Sequence, residues 1–243
     1  VDFTNTTWKN GGEFSGQSSI NFSTANSLSE IIGLDTAIEY ISDGTWSNLS
    51  TNTYHSYSSI ALQNCPMLLD LNFLSNTYVG NLTLYNLTGI SNLILPAGLR
   101  VDNLNIQNSS LTSIDFTQMT NVVSGPGHMP GVFIGIPIGF IQLTENTQLT
   151  NLVFPSSGTT NGYVFTGAHP VYRLFGMIYI NNNNLSVSSL TDLCLTVKRS
   201  AIFTTSNYRW SYMYNNNKPT QDGKDALTYL ISQRQWSINT NLI

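Results

Sequence analysis

Catalysis, metal binding and redox chemistry each need particular side chains at particular spacings, and this chain offers few of them. The histidines His55, His128 and His169 are widely separated, and no His-x-x-x-His or Cys-x-x-Cys pair is present to seat a metal. Gly125-Pro126-Gly127 lacks both the strand-to-helix setting and the lysine of a phosphate-cradling loop. Serines are abundant, yet none is framed as Gly-x-Ser-x-Gly, the tight turn that presents a nucleophile to a histidine. Cys65 and Cys194 are too few for a disulfide framework and each falls in an apolar pattern, so two buried free thiols are expected. The residues therefore point to a non-enzymatic protein with no catalytic residue, no cofactor and no metal site.

Composition narrows the class. The chain has 243 residues, 41% of them hydrophobic, which is enough to bury a sizeable core. Only 9% are charged and the net charge is −4, so the basic patch that nucleic acid requires is missing. Aromatic and branched aliphatic residues are too plentiful for disorder. A surface of amides and hydroxyls suits an extracellular or virion protein that recognises sugars through hydrogen bonds and aromatic stacking. No signal peptide is visible, and the start at Val1 without methionine is expected of a processed product or an excised piece. Sequons such as Asn5-Thr6-Thr7, Asn81-Leu82-Thr83 and Asn86-Leu87-Thr88 are expected by chance in so Asn- and Thr-rich a chain and are not read as glycosylation sites.

The elements that must carry any site come from a repeat. Ile60-x-Leu62-x-Asn64 with Leu68-x-x-Leu71-x-Phe73, Leu82-x-Leu84-x-Asn86 with Ile90-x-x-Leu93-x-Leu95, and Leu104-x-Ile106-x-Asn108 with Leu111-x-x-Ile114-x-Phe116 say one thing three times. The first two steps are both 22 positions. Each copy holds two short runs with alternate residues apolar, the pattern of half-buried strands. Stacked copies turn these positions into internal columns, and Asn64, Asn86 and Asn108 are expected to form a polar ladder at a tight corner, where asparagine tolerates the left-handed backbone. Asp70 and Asp115, the best carboxylate pair for glycosidic acid–base work, lie two copies apart in different columns. At about 4.8 Å per copy they would sit roughly 10 Å apart or more, and two solvated surface carboxylates are expected instead.

Ala61-Leu62-Gln63-Asn64-Cys65-Pro66-Met67-Leu68-Leu69-Asp70-Leu71-Asn72-Phe73 resembles the A-F-x-x-C-x-x-L-x-x-I-x-I core of the leucine-rich repeats called BspA-like or Treponema-type. Leu87 and Ser109 stand where that family often has cysteine, and Leu95-Pro96 fits its habit of closing a strand with proline. The resemblance covers about half the chain and implies a mainly β fold with minor α, a leucine-rich-repeat-like β-solenoid of about five coils. Three domains are expected: an N-terminal cap or attachment region over 1–55, the solenoid over 56–185, and a C-terminal capping module over 186–243.

The N-terminal region shows short strands at Val1–Thr4 and Ser19–Phe22, and a helix or strand pair over residues 29–41. The fourth copy is Ile141-x-Leu143 with Leu149-x-x-Leu152-x-Phe154, and the fifth opens at Ile178-x-Ile180-x-Asn182. Leu104 to Ile141 and Ile141 to Ile178 are each 37 positions, so insertions over about 119–139 and 156–176 leave the stack as surface loops. The first is uncharged from Val122 to Gly139, and its Met129, Val132, Phe133, Ile134 and Ile136 either dock on a partner or fold back over the solenoid. The second carries Tyr163, Phe165, His169, Tyr172, Arg173 and Phe175, which form either a glycan or protein contact surface or a local mini-core.

After these come a helix at Val187–Lys198, an aromatic strand at Tyr208–Tyr214, a helix at Asp222–Gln233 with Ala226, Leu227, Leu230 and Ile231 on one face, and a strand at Trp236–Asn239. Leu185-Ser186, Pro219, Gly223, Ala226, Leu230, Trp236, Ile238 and Asn241 follow in order a pattern that resembles the terminal module of leucine-rich-repeat proteins from Bacteroidota and their phages. Gln235 stands where that pattern has glycine. This resemblance implies a cap on a surface or virion structural protein. The leading expectation is a bacteriophage spike, fibre or capsid decoration protein on the virion surface. Its expected partners are other virion or surface proteins, further copies of itself (a trimer, for example) and a host-surface glycan or protein, with no nucleic acid and no membrane insertion. The alternatives are a bacterial cell-surface adhesin or binding module, and a polysaccharide-degrading β-helix enzyme.

Overall fold

The structure, a computed structural model, describes residues 19–23, 25–31, 55–75, 77–119, 138–154, 177–200, 210–215 and 217–243. These residues form a mainly β protein with two helices, in which every strand pair is parallel. The larger sheet has eight strands: β1 (Ser19–Ser23), β2 (His55–Gln63), β3 (Thr77–Tyr85), β5 (Arg100–Gln107), β7 (Ile138–Thr144), β9 (Met177–Asn183), β10 (Trp210–Asn215) and β11 (Ser237–Thr240), adjacent in that order. The smaller sheet stacks β4 (Asn92–Ile94), β6 (Ser113–Asp115) and β8 (Asn151–Val153).

Register explains why these segments are strands. Ile20, Ile60, Leu82, Leu104, Ile141, Ile178, Ser211 and Ile238 are successive partners across the large sheet, as are Phe22, Leu62, Leu84, Ile106, Leu143, Ile180, Met213 and Thr240. From Ile60 to Ile180 both columns are buried, and Leu93, Ile114 and Leu152 oppose them from the small sheet. A 3.3 Å rise and alternating side chains put every second residue inside, so a one-residue slip would expose a whole column. Each such buried aliphatic side chain contributes about 1.5–3 kcal/mol relative to exposure.

Three features differ from the sequence reading. The second run of the first copy, Leu68 to Phe73, is not a strand: Asn72–Leu74 turns as a 3-10 helix, whose amide at Asn72 is held by the Asp70 carboxylate at 2.9 Å. β1 is a rung of the same sheet, with Ile20 paired to Ile60 and Leu28 and Ile31 buried in the core, so the stacking reaches into the region read as a separate cap. β10 and β11 likewise extend the sheet at its other end.

Helices replace the small-sheet strand in the last rungs. In α1 (Val187–Ser200) the buried stripe Leu190, Leu193, Cys194 and Val197 has the i, i+3, i+4, i+7 spacing of one helical face. Ser186 caps it by accepting the Ser189 amide at 3.2 Å, and the Ser189 hydroxyl accepts the Leu152 amide at 3.0 Å. That second bond covers an edge of β8 that would otherwise be open to pairing with another chain. α2 (Gln221–Arg234) buries Gly223, Ala226, Leu227 and Leu230 at the same spacing. Ile231, expected on that face, is exposed, because it lies roughly 90° around the helix from the stripe's centre. Gln235, in place of glycine, adopts the left-handed conformation (φ 55°), and the next amide, Trp236, donates to the Leu230 carbonyl at 3.0 Å.

Ser211 occupies an apolar column between Ile178 and Ile238, and its buried hydroxyl has no hydrogen-bond partner among the described residues. Ser211→Ala is therefore expected to stabilise the fold by about 1 kcal/mol, since an unsatisfied buried hydroxyl costs about 1–3. A denaturant midpoint that moves up at unchanged slope checks this.

Among the described residues, no helix is long and apolar enough to cross a membrane.

Candidate functional site

All eleven residues named as candidate contacts lie outside the described residues: Met129, Val132, Phe133, Ile134 and Ile136 of the first insertion, and Tyr163, Phe165, His169, Tyr172, Arg173 and Phe175 of the second. His128 also lies outside them. The described residues instead bring two other surfaces together.

The first is the outer face of the large sheet. Pairing register sets Asn21, Ala61, Thr83, Asn105, Gln142, Tyr179, Tyr212 and Asn239 in one outward column. Ser23, Gln63, Tyr85, Gln107, Thr144 and Asn181 form a second. Ser59, Asn81, Asn103 and Phe140 belong to a third. None of these residues carries a charge, although β5 also holds Arg100 and Asp102, and this follows from a composition that places few charges anywhere. Neighbouring rungs cross-link through amides: Asn103 Nδ2 donates to Asn81 Oδ1 at 2.8 Å, and within β5 Gln107 Nε2 donates to Asn105 Oδ1 at 2.9 Å. Tyr179 and Tyr212 pack ring against ring at 5.5 Å, while the Tyr214 hydroxyl bonds Asn239 Oδ1. These contacts fix the rings in place, so a ligand that stacks on them loses little further side-chain freedom.

The second surface is the corner at the carboxyl end of these strands. Asn64, Asn86, Asn108, Glu145 and Asn182 all adopt the left-handed backbone, with φ between 48° and 58°. The corner role expected for the three asparagines is thus present, and Asn86 Nδ2 bonds Asn64 Oδ1 at 2.7 Å as one rung of the expected ladder. The longer ladder lies one residue further on and inside. Asn146 accepts the Ser109 amide at 3.0 Å and donates to the Ile106 carbonyl at 3.0 Å. Asn183 repeats this one rung later, on the Asn146 amide (3.2 Å) and the Leu143 carbonyl (2.8 Å). Asn215 bonds the amide and carbonyl of Leu185, and Asn241 those of Asn215. Each side chain thereby satisfies backbone groups at the preceding corner that would otherwise be buried without partners. Sequence reasoning missed this column because its residues vary: Cys65, Leu87, Ser109, Asn146 and Asn183. The signal was there, since Asn146 and Asn183 repeat at 37 positions with Ile141 and Ile178.

Glu145 breaks the run of corner asparagines. It borders an open cleft of about 830 Å³ together with Asn181, Asn182, Asn184, Tyr214 and Asn241.

Asp115 holds the Thr117 amide at 2.7 Å, as Asp70 holds Asn72, so both carboxylates anchor turns. Among the described residues, no group of three His, Cys, Asp or Glu is placed to hold a metal. Cys65 and Cys194 are buried free thiols. Burial raises the Cys65 thiol, while hydrogen bonding with the backbone at Gln63 and Ala25 works against the rise. Burial pushes Cys194 from 9.0 up to about 12. The unfolded thiol ionises near its ordinary value and the folded one does not, so the unfolded state binds fewer protons in between. The stability from Cys194 is accordingly complete below pH 9.0 and is lost as pH rises towards about 12. Thermal melts of Cys194→Ala should fall less steeply over that range, by about 1 kcal/mol per pH unit.

Comparison with family models, with curated proteins and with solved structures finds no match to this chain.

Proposed function

We propose that the chain is a leucine-rich-repeat-like β-solenoid that acts as a non-enzymatic structural and recognition protein. On this reading it is carried on a bacteriophage virion as a spike, fibre or capsid decoration and contacts the host surface. The observation that carries the proposal is the pair of outward columns of the large sheet through Thr83, Asn105 and Tyr179 and through Gln63, Gln107 and Asn181, held in register by buried columns and bearing amides, hydroxyls and tyrosines without charge. Such a face suits a neutral partner, because hydrogen bonds and ring stacking supply contact without the desolvation of buried charge. Its attraction to that partner should be nearly indifferent to salt, unlike a charged contact.

Support for a non-enzymatic role comes from Asp70 and Asp115, each already engaged with a backbone amide in its own turn. Support for the virion setting comes from the resemblance of the C-terminal module, and in particular from Gln235 taking the backbone conformation that its glycine would take.

The test is direct. Antibody raised against the purified chain should label purified particles and block their adsorption to host cells. Labelling of bacterial outer surfaces without particles would replace the virion reading with that of an adhesin. Sustained release of oligosaccharide from a polysaccharide panel would overturn the non-enzymatic reading.

A further inference from the structure

We infer that the corner cleft beside Glu145 is a subsite for one sugar unit of a neutral saccharide, held by the Glu145 carboxylate. The inference rests on the recognition reading above, and it moves the specific contact from the sheet face to the corner at its edge.

Three observations lead there. The left-handed backbone suits asparagine, and asparagine fills this corner position at 64, 86, 108 and 182; Glu145 alone among the five departs from it, with φ 58°. A glutamate gains nothing from that conformation, which disfavours side chains longer than Asn or Asp. Strain kept at one position of a repeating series points to a use for the side chain. The Glu145 side chain is exposed and makes no hydrogen bond or ion pair among the described residues. Finally, a cleft of about 830 Å³ opens beside it, within the ordinary size of small-ligand sites.

The lining selects the ligand class. Among the described residues no lysine or arginine borders the cleft, and the carboxylate repels anions, so phosphate and sulfate groups are poor occupants. Asn181, Asn182 and Asn184 present amides, and polar surface outweighs apolar in the lining, which suits a polar ligand with one apolar face better than a purely hydrophobic one. One carboxylate is a thin ligand set for a divalent cation, which ordinarily gathers several. A polyhydroxylated neutral ring fits all of this. A carboxylate accepts from two neighbouring hydroxyls at once, and amides both donate to and accept from sugar hydroxyls. Tyr214, anchored through Asn239, offers an aromatic ring to the apolar face of the sugar.

Calorimetric titration with unbranched neutral oligosaccharides of glucose, galactose, mannose and N-acetylglucosamine tests the inference on the full chain. At least one is expected to bind, and Glu145→Asn should weaken it about tenfold or more, the worth of charge-assisted hydrogen bonds. That substitution restores the residue type of the other corners, so its melting temperature should hold or rise and a folding defect would not explain the loss. Tyr179→Ala removes a ring of the sheet face instead and serves to tell the two sites apart. Binding that survives Glu145→Asn but is lost in Tyr179→Ala overturns the cleft while the recognition reading stands. Glu145-dependent binding of Ca²⁺ alone, or no saccharide binding at all, also overturns it; antibody labelling of particles then judges the recognition reading separately.

Discussion

Gly89→Ala should lower the melting temperature by about 10 °C, corresponding to about 3 kcal/mol for a chain of this size. The reason is a close approach of backbone to backbone. A Cβ at position 89 would stand 2.1 Å from the Pro66 carbonyl oxygen, 2.9 Å from the Leu68 carbonyl oxygen and 2.9 Å from the Pro66 carbonyl carbon. None of these atoms is the end of a flexible side chain. Leu68 is buried in the core and its amide is tied to the Cys65 carbonyl, so relief requires the first and second copies to move apart. That separation would also pull Leu62 from Leu84 and Cys65 from the core. Met67, one period earlier, is exposed, so the crowding belongs to this pair of copies and not to the corner in general. A denaturation curve for Gly89→Ala that overlays the parent would mean the two copies are less tightly stacked than described. Gly89→Ser should behave as badly or worse.

Asn146→Leu is the second large effect, with an expected loss of about 4 kcal/mol. Leucine shares the branching and the number of side-chain heavy atoms of asparagine and occupies the same column at Leu87, so shape alone does not forbid it. What is lost is the pairing of two fixed backbone groups, the Ser109 amide and the Ile106 carbonyl. Each becomes a buried orphan at about 1–3 kcal/mol, well above the roughly 1 kcal/mol of an ordinary exposed hydrogen bond. Asn86→Ala at the part-exposed corner, which removes one side-chain bond to Asn64, should cost only about 1 kcal/mol. Equal losses for the two variants in urea melts would show that the inner ladder has no special weight.

These two sites illustrate what sequence could disclose. The apolar columns at Leu84, Ile106 and Leu143 were legible because identity of type repeats at fixed spacing, and all three are fully buried. The left-handed corners at Asn64, Asn86 and Asn108 were legible for the same reason. β1 was legible as a short strand at Ser19–Phe22 but not as a member of this sheet, although Ile20-x-Phe22 followed by Leu28-x-x-Ile31 matches the template at Ile60, Leu62, Leu68 and Leu71. The interval is 40 residues, and a single copy so far out of step carries no rhythm of its own. The 3-10 turn after Leu71 was hidden because Asp70 and Asn72 preserve the alternation of a strand while bonding to each other instead of to a neighbour. The inner asparagine column and the cleft were hidden by a different cause. Their logic lies between copies, in which backbone groups one residue leaves unpaired and another, 37 positions on, must reach. Only the Glu145 departure from asparagine was visible as a letter, and a letter does not report its φ.

Because β2, β3 and β5 are 22 residues apart and each pairs only with the strand on either side, the width of the large sheet is an adjustable quantity. Duplicating residues 82–103 in the gene would add one storey of about 4.8 Å without asking distant residues to adapt. Deleting the same stretch would remove one. Slips of recombination would thus lengthen or shorten the sheet in whole steps, long before any side chain elsewhere changes.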